Sequence, residues 1–253
     1  MIIDVNNKKN LHRFIFFIKE LYKNDEYYVF PIFHAQKKEL AEIVLKEKTY
    51  KALLSVDEND RVQGRLLYTY DHSKKQDKEI CYYSYFDTVN DFTVVKELFD
   101  YMEQDMKNKG IDYSEGTFSP FDPDTRRGVM IKGFNQNPSI FTSYNFEYYG
   151  ELLEQYGYTK AIDTVLLNAD VNEKSKKRLN TFSRFFQRSH DVRVDSLDWD
   201  NLEQDLIDVE TIIKLASNEI VYQDAPSIEM IRNVAEQMRF FLNPRLVKIA
   251  RDR

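Results

Sequence analysis

This chain of 253 residues carries a single cysteine, Cys81, so no internal disulfide framework can hold it together. With no secretory leader read at its start, a lone cysteine points to a reducing, cytoplasmic setting. Only 7 glycines and 6 prolines are present, too few for a repetitive or disordered chain. A basic excess is missing as well: 36 Lys and Arg stand against 42 Asp and Glu, and the net charge of −6 gives no general attraction to nucleic acid or to an anionic membrane. No run is long and apolar enough to span a bilayer, since the early stretch Phe14 to Ile18 is stopped by Lys19 and Glu20. The histidines, His12, His34, His72 and His190, are scattered without ligand spacing and pair with no cysteine, so no metal is expected. What the chain does have is core material: 42% hydrophobic residues, including 17 Tyr and 18 Phe, enough for one large domain or two small ones.

Periodicity gives the order of elements. A first strand is expected at Ile2 to Val5, then a helix capped by Asn6 or Asn7 and running to about Lys23, with Leu11, Phe14, Ile15 and Ile18 on one face. A second helix is expected over about Gln36 to Glu47. Strands follow at Tyr50 to Val56, Arg61 to Tyr70 and Lys78 to Phe86, the first two joined by the turn-rich Asp57 to Asp60, so the three form an antiparallel meander. The spacing of Phe92, Val95, Leu98, Met102 and Met106 predicts a long helix closed by Gly110. After it come a strand within Ile111 to Phe118 and a long loop, Ser119 to Ser139.

The densest run of signals is Gly133 to Lys160. A Gly-Phe corner and an Asn-Pro turn lead into a helix carrying Tyr144, Tyr148, Tyr149, Leu152, Leu153 and Tyr156, ended by Gly157, and Tyr158 to Leu167 has the β-branched and aromatic content of a strand. Beyond it, Val171 to Ser189 reads as a basic connecting helix. Its Lys and Arg residues face solvent and Phe182, Phe185 and Phe186 dock it on a core. Helices are expected over about Asp198 to Val221 and Ser227 to Leu242, and Arg245 to Ala250 looks like the beginning of a strand.

The order RVQGRLLY (61 to 68), KEICYYSYF (78 to 86), VVKELFDYMEQDMKNKG (94 to 110), the GFNQNP corner and YYGELLEQYGYTKAID (148 to 163) resembles the GNAT superfamily of acyl-CoA-dependent N-acyltransferases, in the branch with two tandem cores. The resemblance covers roughly residues 11 to 168. It implies an α/β (α+β) fold with a mixed, mostly antiparallel twisted sheet flanked by helices over residues 1–168, and a helical segment over 169–253. It also implies that the paired N-terminal helices help form the acceptor cleft, and that the last residues open a second core, the chain being truncated or naturally short. Acetyl-CoA or another acyl-CoA would be the donor and a small-molecule or peptide amine the acceptor, with a homodimer as one arrangement.

Such a transferase needs backbone N–H groups for the cofactor pyrophosphate at a helix N-terminus, usually within Q/R-x-x-G-x-G/A. Here the segment is DTVNDFTV, with no glycine. By position the cofactor-binding candidates are Tyr85, Phe86, Asp87, Asn90 and Asp91. A leaving thiolate is often protonated by a tyrosine four residues before the glycine that ends the later helix. That position is Leu153, and Tyr149, one turn earlier, is the substitute catalytic candidate. Two readings stay open: an acyltransferase with this half degenerate, or a non-catalytic scaffold that keeps the fold. Weaker signals are the Asp122-Pro-Asp124 turn as a metal site, the basic helix as a nucleic-acid or CoA-phosphate contact, and Cys81, read as a buried thiol.

Overall fold

The structure is a computed structural model and describes residues 1–73, 76–120, 127–139, 142–167, 169, 172–217 and 226–252. The Asp122-Pro-Asp124 turn lies outside the described residues. Two compact units are present, Met1–Lys160 and Ala161–Arg253.

In the first unit, strands β1 (Ile2–Asp4), β2 (Lys51–Val56), β3 (Val62–Ser73), β4 (Lys78–Thr88) and β5 (Ser114–Gly116) lie side by side in chain order. The first four pair antiparallel and β5 pairs parallel to β4. Alternation sorts the side chains between two cores. Leu53, Leu66, Tyr68, Cys81 and Tyr83 face one side, whereas Ala52, Leu54, Val56 and Leu67 face the other. Helix α1 (Lys8–Leu21), capped by the Asn7 side chain on the Asn10 N–H, packs Leu11, Phe14 and Ile15 on the second face. Helix α2 (Phe33–Leu40) joins it there and continues as a π-helical turn over Ala41–Lys46.

Helix α3 (Phe92–Lys109) and helix α4 (Tyr148–Tyr156) cover the first face. Gly64 lets α3 approach the sheet, because a Cβ there would stand 2.7 Å from Val94 Cγ1 and 3.1 Å from Leu98 Cδ1. Gly110 and Gly157 close α3 and α4 in the left-handed conformation, with φ of 72° and 118°.

One irregularity matters for the site. Leu67 pairs with Ser84 but Arg65 pairs with Asp87, so β4 holds an extra residue opposite β3, and Tyr85 takes a φ of 49°. The bulge moves Tyr85 to the α1 side while Phe86 stays in the α3 core.

The second unit holds α5 (Glu173–Ser189), β6 (Val192–Ser196), α6 (Leu202–Ser217), α7 (Ile228–Met238) and β7 (Lys248–Asp252), with β6 and β7 pairing antiparallel. Arg251 of β7 binds Asp195, Asp205 and Asp208, tying the ribbon to α6.

Several expectations are corrected. Residues 158–167 form no strand among the described residues, and Val165 and Leu167 are exposed. β-branched composition expresses itself only against a neighbouring strand, and none pairs with this segment. The fourth helix begins at Tyr148, leaving Tyr144 in the preceding loop. Phe182, Phe185 and Phe186 do not dock α5 on a core: they are 64%, 67% and 42% exposed and α5 buries no residue. Strand β6 was not expected at all.

Candidate functional site

Strands β4 and β5 stay hydrogen-bonded from Cys81–Ser114 to Tyr83–Gly116, and then only β4 runs on, to Thr88. The gap opens into a cavity of about 440 Å³. Its floor is Tyr85, Phe86 and Asp87 of the bulged strand, with Tyr149 of α4. Tyr28 and Phe30, from the α1 to α2 connection, form one wall. A further part of the lining comes from the loop before α4, with Thr142, Ser143, Tyr144 and Asn145, and Tyr144 meets Tyr28 edge-on. Asn145 fixes that loop: its Oδ1 accepts the Met130 N–H at 2.7 Å and its Nδ2 donates to the Met130 carbonyl at 3.1 Å.

Under the floor lies a buried polar chain. Arg65, 1% exposed, donates from Nε to Asp87 Oδ2 at 2.7 Å, from Nη2 to the same oxygen at 2.5 Å, and from Nη1 to the Phe14 carbonyl at 2.8 Å. Its guanidinium also lies 5.1 Å from the Phe14 ring centre and 5.4 Å from that of Tyr85. Asp87 Oδ1 accepts the Tyr22 hydroxyl at 3.1 Å, Tyr22 and Tyr149 Oη are 3.2 Å apart, and the Thr88 N–H donates to Tyr149 Oη at 2.9 Å. Because the carboxylate can only accept, Tyr22 gives its single proton to Asp87, and the Tyr149 proton therefore points to Tyr22. Burial first, and then the Asp87 charge, hold both hydroxyls well above the ordinary phenol range. Tyr149 thus reaches the cavity with its proton directed inward.

Of the residues the sequence singled out, Tyr85, Phe86, Asp87 and Tyr149 come together at the cavity. Asn90 and Asp91 do not line it and are exposed. Asp91 instead caps α3, its Oδ1 accepting the Thr93 N–H at 2.8 Å. Sequence reasoning missed Arg65, Tyr22 and Tyr144. For Arg65 a signal existed, a charged residue at an inward position of the otherwise apolar run Gly64 to Tyr68.

The antiparallel meander β2 to β4, the long helix after it and the mixed, mostly antiparallel sheet are those expected from the sequence, whereas the parallel β4–β5 pair that parts beyond Tyr83 was not foreseen. The fold is α/β (α+β), a mixed, mostly antiparallel sheet flanked by helices. No family model matches the chain. Protein YghO of Escherichia coli (strain K12) is 26% identical over 160 residues, which are 62% of this chain and 41% of that protein's length. Similar solved structures are acetyltransferases. A probable acetyltransferase shares 13% identity at a TM-score of 0.41, over 68% of this chain and 99% of that one. An aminoglycoside acetyltransferase from an uncultured soil metagenomic sample, in complex with sisomicin, shares 12% at 0.42, over 68% and 96%. An aminoglycoside antibiotic 6′-N-acetyltransferase from Acinetobacter baumannii shares 8% at 0.43, over 68% and 99%. Likeness at this level passes no substrate to the present chain.

Among the described residues no group of three or more His, Cys, Asp and Glu side chains is placed to hold a metal ion, and no helix is long and apolar enough to cross a membrane.

Proposed function

We propose that Met1–Lys160 is a GNAT-like N-acyltransferase core that keeps its acceptor cleft and has lost the seat for the acyl-CoA diphosphate. The observation that carries this reading is the Asp91 cap. A diphosphate at the start of α3 would use the first backbone N–H groups and the positive end of the helix dipole. The Asp91 carboxylate already takes the Thr93 N–H and places a negative charge where a second anion would have to sit. From Asp87 to Asp91 the segment holds neither glycine nor a basic residue, so no main chain is bared for close approach and no cation offsets the repulsion.

The acceptor side is intact by contrast. Tyr149, Tyr85 and Phe86 meet in a cleft of a volume ordinary for small ligands. An acyl group transferred here would pass from the thioester sulfur to an amine nitrogen, the C–S bond breaking as the C–N bond forms, with the amine losing a proton and the thiolate gaining one. Tyr149 is the hydroxyl placed for the second of these steps, provided that the proton it now gives to Tyr22 turns into the cavity. Thiol release from acetyl-CoA, followed with a chromogenic disulfide in the presence of varied amines, is expected to stay at the hydrolysis background. Release that requires both the protein and an amine overturns the reading. The alternative, a scaffold without a ligand, is disfavoured by the aromatic cavity.

A further inference from the structure

Resting on the reading of this cavity as an acceptor cleft, we propose that it takes an uncharged ligand made of an aromatic ring bearing an N–H or O–H donor, a neutral arylamine being the simplest case. Three observations on the walls carry this.

Among the described residues, the cavity lining offers a guest no unpaired charge. Among the described residues lining the cavity only Arg65 and Asp87 are ionisable as a cation and a carboxylate, and they bind each other in a buried pair with a further bond to the Phe14 carbonyl. A polycation would find no carboxylate to meet it and an organic anion no unengaged guanidinium, so either would lose hydration without return.

Rings dominate the walls. Tyr28, Phe30, Tyr85, Phe86 and Tyr144 all line the space, and Tyr28 stands edge-on to Phe30 at 5.0 Å and to Tyr144 at 5.7 Å. Aromatic walls in offset and edge-on arrangement favour a flat aromatic guest over an aliphatic one of equal area.

The third observation is the direction of the hydroxyl protons. Thr142 Oγ1 donates to the Ser139 carbonyl at 2.8 Å, Ser143 Oγ to the Arg127 carbonyl at 2.9 Å, and Tyr144 Oη to Asp25, 2.9 Å from each carboxylate oxygen. Each hydroxyl has one proton and spends it on the protein, so what it can offer a guest is a lone pair. Asn145 likewise commits its amide N–H groups to the Met130 and Phe146 carbonyls. These four neighbouring side chains, Thr142 to Asn145, present acceptors to the cavity, and they favour a guest that donates.

The test uses ligand-observed saturation-transfer NMR on the full chain with aniline, N,N-dimethylaniline, benzoate and spermine as probes. Phe30, on the cavity wall and 41% exposed, can be replaced without opening the core. Aniline is expected to bind saturably and about five- to tenfold more tightly than N,N-dimethylaniline, which has the ring but no donor. Phe30→Ala is expected to weaken aniline by a similar factor with the thermal unfolding midpoint unchanged. The inference is overturned if N,N-dimethylaniline, benzoate or spermine binds as tightly as aniline, if aniline does not bind, or if Phe30→Ala leaves its affinity unchanged. No acyl-CoA is present in this experiment. Thiol release from acetyl-CoA would thus overturn the loss of the diphosphate seat without touching this inference, and a silent aniline titration would do the reverse.

Discussion

Removing Arg65 would strand the Asp87 carboxylate between the α1 backbone and the cavity floor, with Tyr22 as its remaining side-chain donor. Breaking a buried pair by deleting one partner costs more than deleting both, so Arg65→Met is expected to destabilise the first unit by about 3–5 kcal/mol. The double variant Arg65→Met with Asp87→Leu should recover part of that loss, read from urea unfolding midpoints. Additive losses would show that the two groups do not act as a pair. Cys81 gives the pH prediction. Burial pushes its thiol up to about 12, so it stays protonated and unreactive through the alkaline range. Alkylation by iodoacetamide at pH 9 should be negligible in the folded protein and rapid in urea. Since the folded value is raised, the stabilisation linked to this thiol is fully present below the ordinary thiol range and fades as pH rises through about 12. At this scale the sequence was readable where one residue speaks for itself, as the mid-strand Cys81 did. The Arg65–Asp87–Tyr22–Tyr149 chain was not readable, because its members lie on β3, β4, α1 and α4 and meet only after folding.

Elements were legible in proportion to their periodicity and their caps. Helix α3 has the limits its apolar spacing and Gly110 foretell, and the meander β2 to β4 follows from three strand-like runs joined by polar turns. Failures came where a pattern needed a partner that the sequence could not name. Tyr158 to Leu167 has strand composition and no strand beside it, while the short β6 is a strand because β7, more than fifty positions further on, pairs with it. The bulge at Tyr85 is also invisible in sequence, since nothing in the run Tyr82 to Asp87 marks the residue that will take a positive φ. One contact between elements is open to a clean test. Gly64→Ala would place a methyl group 2.7 Å from Val94 Cγ1, forcing α3 away from β3. A destabilisation of about 1–3 kcal/mol is expected in chemical unfolding, with Gly64→Ala combined with Val94→Ala recovering part of it. If Gly64→Ala alone were neutral, α3 would not be held as close to the sheet as the structure shows.

In the whole molecule, two properties that an acyl-CoA-dependent transferase would need together are found apart. The first unit holds a cavity with aromatic walls and with hydroxyls at Thr142, Ser143 and Tyr144 that donate to the protein, and the start of α3 is closed by its own carboxylate. Only the second property was visible beforehand, in the absence of glycine from DTVNDFTV. Under the proposed function, the Asp91 carboxylate stands where an acyl-CoA diphosphate would have to sit. Calorimetric titration of coenzyme A into the unaltered protein and into Asp91→Ser, which keeps a capping hydroxyl and removes the charge, tests it most directly. No saturable heat is expected for the unaltered protein up to about 1 mM ligand, and at most weak binding is gained by Asp91→Ser. Saturable binding of coenzyme A to the unaltered protein in the micromolar range would contradict it.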